Sequence, residues 1–393
     1  MYKIQTLNNI CVAGLERFPR DRYEIASEMR QPDAIMLRSF NMHDFAMPDG
    51  LKAVGRAGAG TNNIPVANLS AVGIPVFNAP GANANAVKEL VIAAMLLSAR
   101  NIIPASQFAH TVSGTDEEID KLVESQKKNF VGIELSGRTL GVVGLGAIGV
   151  RVANAALGLG MKVIGYDPHI TVTNAWQLHS EVRGVSSMSE VLASSDFVTL
   201  HVPLLSETTN IIDAKRLAKA RPGITILNFA RPAIADEKAV LDAINSGIIR
   251  SYICDFPTNL LKTCPKVISL PHLGASTEEA EENCAIMVAD QLRDFLEYGT
   301  IKNSVNFPEM HLPAGNGHRM LVSNANVPHM IERISAAVAN ANLNILDMLN
   351  RSRGEIACTM LDIESEAPQS VIDEIKSING VLNVRTLKVK TRV

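Results

Sequence analysis

The stretch TLGVVGLGAIGVRVANAALGLGMKVIGYD, Thr139 to Asp167, decides the fold. An apolar, β-rich run (Leu140, Val142, Val143) enters a turn built on Gly144, Gly146 and Gly149. A helix-patterned run follows, then a second apolar run, Val163-Ile164-Gly165-Tyr166, that ends in Asp167. In a strand–turn–helix of this kind the first glycine makes the tight turn. The second lets a pyrophosphate approach the backbone, and the third lets the helix sit close to the strand. The helix start, at Ala147 and Ile148, offers free N–H groups and a positive dipole end to the phosphates. A lone GxGxxG is weak evidence; a strand before it, a helix after it and an acid closing the next strand make it specific. Asp167 is placed to accept both hydroxyls of an adenosine ribose and to repel a 2′-phosphate, so the expected cofactor is NAD rather than NADP.

Working outward, 393 residues suggest two or three domains. The apolar fraction of 47% is ample for buried cores. A net charge of −3 gives no basic field, so neither nucleic acid nor an anionic membrane is expected as a partner. An anionic substrate must then be held by a few local arginines. The cysteines (Cys11, Cys254, Cys264, Cys284, Cys358) are scattered and form no CxxC pair. A disulfide scaffold or thiolate metal site is not expected, and the pattern fits a reducing compartment. The longest apolar helix candidate, Val87 to Ala99, is interrupted by Lys88 and Glu89. It is far short of the ~20 apolar residues of a membrane span. The opening MYKIQTLNNI lacks a signal-peptide pattern, and a cytoplasmic protein is expected.

Residues 1 to about 95 alternate short strand-like runs (Asp33–Leu37, Leu51–Val54, Ile74–Phe77) with loops rich in Gly, Asn and Pro. That is α/β patterning without a second dinucleotide fingerprint. A buried helix is predicted from about Ala86 to Asn101, and Gln107 to Phe130 reads as an exposed, charged excursion. From Leu140 to about Leu270 strands and helices alternate regularly, which predicts a doubly wound parallel sheet. A helix is predicted over Thr277–Gly299. The segment 307–317 has the prolines and glycines of a linker. From Met320 to Lys390 the order changes to βαββαβ, which is ferredoxin-like.

In open α/β sheets ligands bind beyond the carboxyl ends of the strands. Here those ends carry Gly144–Gly149, Asp167, His201-Val202-Pro203, Asn228-Phe229-Ala230-Arg231, Asp255 and His272-Leu273-Gly274. Arg231, Asp255 and His272 are thus predicted to converge beside one edge of the cofactor. This set suits hydride transfer from a secondary alcohol. Histidine titrates nearest neutrality and is the natural base for the alcohol proton. Arginine grips a carboxylate with two parallel hydrogen bonds and polarises a developing carbonyl. His201 is the rival histidine; in its strand-end HVPL segment, packing or a backbone contact is favoured. Arg38 and Arg56, which end or follow strands of the first segment, are candidates for carboxylate or phosphate binding.

The motifs GLGAIG with Asp167, HVPL, LNFARPAIADE (Leu227–Glu237) and PHLGAST (Pro271–Thr277) resemble the D-isomer-specific 2-hydroxyacid dehydrogenases. RAGAGTNNI (Arg56–Ile64), NAPGANANAVKEL (Asn78–Leu90) and the C-terminal segment resemble the phosphoglycerate dehydrogenase branch of that family. The likeness spans essentially the whole chain. It implies a flavodoxin-like substrate domain from 1–95 and 276–306, a Rossmann-type NAD domain from 96–275 inserted in it, and a cleft that closes on substrate. A 307–317 linker leads to a 318–393 ACT domain. By the same resemblance Arg231 binds substrate and His272 is the acid/base. Gly144, Gly146, Ala147, Ile148, Gly149, Asp167, Val202, Pro203, Phe229, Ala230, Arg231, Asp255, His272 and Gly274 line the NAD. The implied reaction is NAD-dependent oxidation of 3-phospho-D-glycerate to 3-phosphohydroxypyruvate, opening L-serine synthesis, in a homodimer or homotetramer. Alternatives are another D-2-hydroxyacid substrate such as 2-hydroxyglutarate, or a catalytically idle NAD-sensing regulator.

Two departures from the family pattern matter. A glutamate usual a few residues after the Asp255 position is absent from Asp255-Phe256-Pro257-Thr258-Asn259-Leu260, with Asn259 the nearest match. An amide can orient an imidazole but cannot stabilise its cation by charge, so a pH–rate profile displaced to lower pH is expected. Pro232 stands where glycine is usual and biases Arg231 to extended geometry. In the C-terminal domain the resemblance implies an L-serine effector site at Asn326 and Asn344, with His329 in a glycine position. A module serving only oligomerisation is the alternative.

Overall fold

The computed structural model describes residues 1–313 and 317–389. Part of the linker assigned to 307–317, residues 314–316, lies outside them, as does Lys390 of the last expected strand. The chain divides into two compact units, Met1–Asn83 with Glu278–Val393, and Ala84–Thr277.

The second unit holds a seven-stranded sheet, all parallel. Its order is Val267–Ser269, Ile249–Cys254, Ile224–Asn228, Phe197–Leu200, Thr139–Val143, Lys162–Tyr166, Arg183–Gly184. The chain starts in the Thr139–Val143 strand, winds one way, then returns and winds the other, the doubly wound order the sequence predicts. Its strands are apolar almost throughout, as helices on both faces require. The helix Ala84–Ala99 belongs to this unit. Val87, Val91, Ala94, Met95 and Ala99 bury against Val150, Ala153, Leu227 and Ile253. That packing moves the change of unit to Asn83, where the sequence placed it at 95. The excursion after it forms two helices, Ile102–Thr111 and Asp116–Gln126, neither with a buried residue.

The first unit holds a five-stranded parallel sheet in the order Tyr23–Ala26, Tyr2–Leu7, Ala34–Leu37, Ala53–Arg56, Val76–Phe77. This 2-1-3-4-5 order is flavodoxin-like. The helix Glu278–Tyr298 lies on it and buries Ala285, Val288, Ala289, Leu292 and Phe295. Gly55 permits that approach: a Cβ there would meet Val288 Cγ1 at 2.5 Å. The C-terminal sheet is antiparallel, in the order Ile345–Arg353, Ile356–Ile363, Gly317–Ala325, Val381–Val389. Helices Met330–Asn340 and Gln369–Ser377 pack their apolar residues on it, completing βαββαβ.

Arg319 joins this sheet to the rest of the first unit. Its side chain is fully buried. Nε and Nη2 donate to Asp362 at 2.6 and 2.8 Å. The remaining N–H groups donate to the carbonyls of Tyr298, Leu312 and Pro313 at 2.9, 3.1 and 2.9 Å. A buried guanidinium with every donor used is the arrangement that keeps its desolvation cost in check.

Candidate functional site

Because the strands of the second unit are parallel, their carboxyl ends lie along one edge, and the chain reverses its winding at Thr139–Val143. The turn after that strand is shaped by crowding. Gly144 has φ +89°, and a Cβ on it would stand 2.4 Å from the His201 carbonyl oxygen. A Cβ on Gly149 would stand 1.9 Å from the Gly144 carbonyl oxygen. At Gly146, by contrast, a Cβ would meet nothing within 4 Å. The loop is therefore closed against its own strand and helix and open at its middle glycine. Gly146 caps the Ala147–Gly158 helix without a side chain, so the first-turn amides at Ala147 and Ile148 have no side-chain acceptor from the cap.

Asp167 faces this loop. One carboxylate oxygen accepts the Leu145 N–H at 2.8 Å and the other the His169 N–H at 2.8 Å. The carboxylate is fixed and each oxygen keeps a lone pair for a ribose hydroxyl. An open glycine, a helix start and a pinned acid fit a dinucleotide without a 2′-phosphate.

Across the switch point, Val202 and Pro203 follow the Phe197–Leu200 strand, and Val202 Cγ1 lies over Gly144. His201 is tied down: its N–H donates to Val143 O at 2.7 Å and its Nε2 lies 2.9 Å from Thr199 Oγ1. Burial pushes this imidazole down to about 3, which favours its neutral form.

Phe229 is buried and Ala230 half-buried after the next strand, and Arg231 is exposed. Arg231 is extended, with φ −150° and ψ 147°, and Pro232 opens a short 3-10 turn behind it, as the sequence implies for a residue before proline. Asp236 then caps the Glu237–Asn245 helix by accepting the Lys238 and Ala239 N–H groups.

Asp255 is 1% exposed, and its Oδ1 has no hydrogen-bond partner among the described residues. Burial pushes its carboxyl up; His272, the Gly274 N–H and Arg231 oppose that shift. Arg231, Asp255 and His272 are thus electrostatic neighbours at one edge. An orphaned buried acceptor beside them is what the carboxamide of a nicotinamide would satisfy. His272 is exposed in left-handed backbone, φ +47°, and its N–H donates to Asp255 O and Leu270 O, both at 3.1 Å. Strain of this kind collects where a side chain must be aimed.

Asn259 is exposed and makes no hydrogen bond to His272. The residue of that loop touching the imidazole is Phe256, edge-on with centroids 5.2 Å apart. Thr258 instead donates to Glu237 at 2.8 Å. Two further residues escaped the sequence reading. Asn228 is fully buried and hydrogen-bonds the Arg231 loop, and Leu145 supplies the amide that fixes Asp167. Asn228 stood in the quoted strand end; nothing in the pattern gave it a role.

In the first unit Arg38 and Arg56 leave neighbouring strand ends, Leu37 pairing with Arg56. Arg56 Nε donates to Arg38 O at 3.1 Å and Asn63 Oδ1 at 3.0 Å. Arg38 pairs with Glu281 at 2.7 Å. In the C-terminal sheet Asn326 lines a cavity of about 410 Å³ with Asn324, His329, Glu332 and Asn350. Asn344 does not line it; it is exposed, its carbonyl accepting the Glu364 N–H at 3.2 Å.

Against known proteins, the model of the D-isomer specific 2-hydroxyacid dehydrogenase NAD binding domain matches residues 92–274. The D-3-phosphoglycerate dehydrogenase of Haemophilus influenzae is 33% identical over 350 residues, 86% of this chain and 81% of that protein. The chain belongs to the D-isomer-specific 2-hydroxyacid dehydrogenase family. NAD is the cofactor for which the family's nucleotide-binding domain is built, and the 92–274 segment is that domain here. The D-3-phosphoglycerate dehydrogenase of Methanocaldococcus jannaschii is 37% identical over 296 residues, 73% of this chain and 54% of that one. The chain thus spans about half the length of that relative. Among solved members of the family, an NAD+-bound 3-phosphoglycerate dehydrogenase of Entamoeba histolytica superposes with TM-score 0.61 at 27% identity. It covers 78% of this chain and 98% of its own. No helix among the described residues is long and apolar enough to cross a membrane.

Proposed function

We propose that this protein oxidises 3-phospho-D-glycerate to 3-phosphohydroxypyruvate with NAD, the opening step of L-serine synthesis, in the cytoplasm and as a homodimer or homotetramer. The observation that carries the reading is the buried Asp255 with Arg231 and His272 as its neighbours, at the strand ends that also bear Gly144–Gly149. The relatives named D-3-phosphoglycerate dehydrogenase support the choice of substrate.

In this reading Arg231 holds the substrate carboxylate through two N–H groups and polarises the carbinol oxygen as it becomes a carbonyl. His272 takes the hydroxyl proton as the C–H bond breaks. Bound NAD supplies the hydride acceptor. Asp255 receives a carboxamide at its unpartnered oxygen, and Arg38 and Arg56 are the cations for the phosphate. The cavity at Asn326 is the effector site for L-serine in this reading, with Asn344 of the same chain at the other end of the Ile345–Arg353 strand.

The test is NADH oxidation by the purified protein with 3-phosphohydroxypyruvate, beside 2-oxoglutarate. Turnover with the phosphorylated keto acid that His272→Ala abolishes supports the reading. Preference for 2-oxoglutarate turns it to a 2-hydroxyglutarate enzyme. A second reading, an NAD-sensing regulator, draws on one feature: in the loop after Asp255 an aromatic ring, Phe256, meets His272, and Asn259 makes no bond to it. Tight NADH binding without turnover would establish that one instead. Inhibition by L-serine that Asn326→Ala removes tests the effector assignment.

A further inference from the structure

We infer that Asn228 is the positioning residue for Arg231: it fixes the backbone from which the guanidinium projects. The inference rests on the reading of Arg231 as the substrate-binding cation.

Asn228 ends the Ile224–Asn228 strand and is 0% exposed. Its short side chain reaches forward over its own turn. Nδ2 donates to Arg231 O at 2.9 Å and to the Tyr252 hydroxyl at 3.2 Å, and Oδ1 accepts the Ala230 N–H at 3.2 Å. The Arg231 carbonyl also accepts the Ile234 N–H at 3.3 Å, so both its lone pairs are engaged. Behind it Pro232 restricts φ and removes a donor. The peptide of Arg231 is therefore held from the strand by Asn228 and from the following turn by Pro232 and Ile234.

The side chain itself has little to hold it. Its one hydrogen bond is Nη1 to the Ala230 carbonyl at 2.6 Å, and no carboxylate forms an ion pair with it among the described residues. An exposed guanidinium with no ion pair takes its direction from its backbone, which makes the clamp consequential. The clamp needs a donor and an acceptor on one short arm. Aspartate lacks the donor, and glutamine is a methylene too long for a fully enclosed site. Tyr252 supports the amide from beneath: it is 2% exposed, and burial keeps its phenol protonated well above the ordinary range.

The experiment compares Asn228→Ala, Asn228→Asp and Tyr252→Phe with the unaltered protein. It measures NADH affinity by fluorescence, kcat and KM for 3-phosphohydroxypyruvate, and amide exchange by mass spectrometry. Both Asn228 variants should raise KM by about 10- to 100-fold, the scale of an ångström misplacement. Exchange should accelerate at residues 229–234 alone, and NADH affinity should stay unchanged. Tyr252→Phe keeps both loop bonds and should raise KM less than about threefold. Asn228→Asp keeps the side-chain volume, so it stands in if the alanine variant does not fold. Unchanged KM in the Asn228 variants, or exchange that rises across the whole sheet, overturns the inference. Absence of turnover in the unaltered protein overturns the functional reading instead. The exchange pattern then still decides whether Asn228 holds this loop.

Discussion

Gly149 lies against the Gly144 carbonyl so closely that a Cβ on it would stand 1.9 Å from that oxygen. Both partners are backbone, so neither can swing aside as a flexible side chain would. In Gly149→Ala the helix must lift from the strand, and the amides at its start leave the phosphate site. We expect Gly149→Ala to lower both thermal stability, by about 1–3 kcal/mol as for other overpacked sites, and NADH affinity. Gly146→Ala has open space for its methyl group and should keep the unaltered Tm. It should still lose NADH affinity, because the methyl stands where a phosphate approaches. Thermal melts with fluorescence titrations check the pair. Equal loss of stability in both variants would contradict this division of roles.

His201 gives a pH dependence with a definite sign. Burial holds its imidazole down to about 3 in the folded protein, against about 6.5 in an unfolded chain. Above about 6.5 neither state is protonated and the group does not affect stability. Below that the unfolded state gains a proton that the folded state refuses. Stability therefore falls as the pH drops from about 6.5 toward about 3, by up to about 1.4 kcal/mol per pH unit. His201→Gln, which never titrates, should show a shallower acid loss in denaturant melts between pH 7 and pH 4. Parallel curves would mean that His201 is accessible to protons in the native state.

The parts of this protein legible in the sequence are those fixed by local spacing. Gly144, Gly146, Gly149 and Asp167 announce strand, turn, helix and strand because each residue type answers a nearby steric or electrostatic demand. The parallel sheet then places every strand end on one edge, so that Arg231, Asp255 and His272 fall along it follows from order alone. What depends on register or on a side chain turning back over its own loop was not legible. Asn228 ends a strand like many others until its amide is seen to bond the peptides of Ala230 and Arg231. Asn344 and Asn350 are equally polar, but Asn344 lies at the strand end that pairs with Ile363, whereas Asn350 lies toward the end where Asn324 pairs with Ala357 and the cavity opens. The Tyr2–Leu7 strand was missed because Lys3, Gln5 and Thr6 break its apolar run. The helices Ile102–Thr111 and Asp116–Gln126 bury no residue that would mark a face.

Arg319 tests how the C-terminal sheet is held. Its guanidinium is 0% exposed and paired to Asp362, with three backbone carbonyls taking its other donors. Removing Arg319 leaves the largely buried Asp362 carboxylate without its ion-pair partner. Arg319→Met should therefore cost about 3–5 kcal/mol, the range for breaking a buried ion pair from one side. The double variant Arg319→Met with Asp362→Leu should recover much of that loss, since well-packed apolar groups substitute for such pairs at little cost. Denaturant melts of both variants check this. A double variant as unstable as the single one would mean that the three carbonyls, rather than the ion pair, carry the arrangement.

The loop after Asp255 decides which residue supports His272. Asn259 points to solvent without a bond to the imidazole, whereas the Phe256 ring meets it edge-on with centroids 5.2 Å apart. Such ring pairs contribute about 0.5–1.5 kcal/mol beyond their burial, a factor of roughly 2–10 in how well the imidazole keeps its place. His272 sits at φ +47°, so a ring released from Phe256 has strained backbone free to relax. Phe256→Ala should therefore lower kcat for keto-acid reduction by roughly 2- to 10-fold while KM moves little, because the carboxylate grip of Arg231 is untouched. Asn259→Ala should leave kcat/KM within about twofold, as expected of a surface position away from the reacting groups. Steady-state kinetics of the two variants at one pH separate these outcomes. A large loss in Asn259→Ala beside a silent Phe256→Ala would return the supporting role to the amide, and with it the expectation that the pH–rate profile depends on position 259.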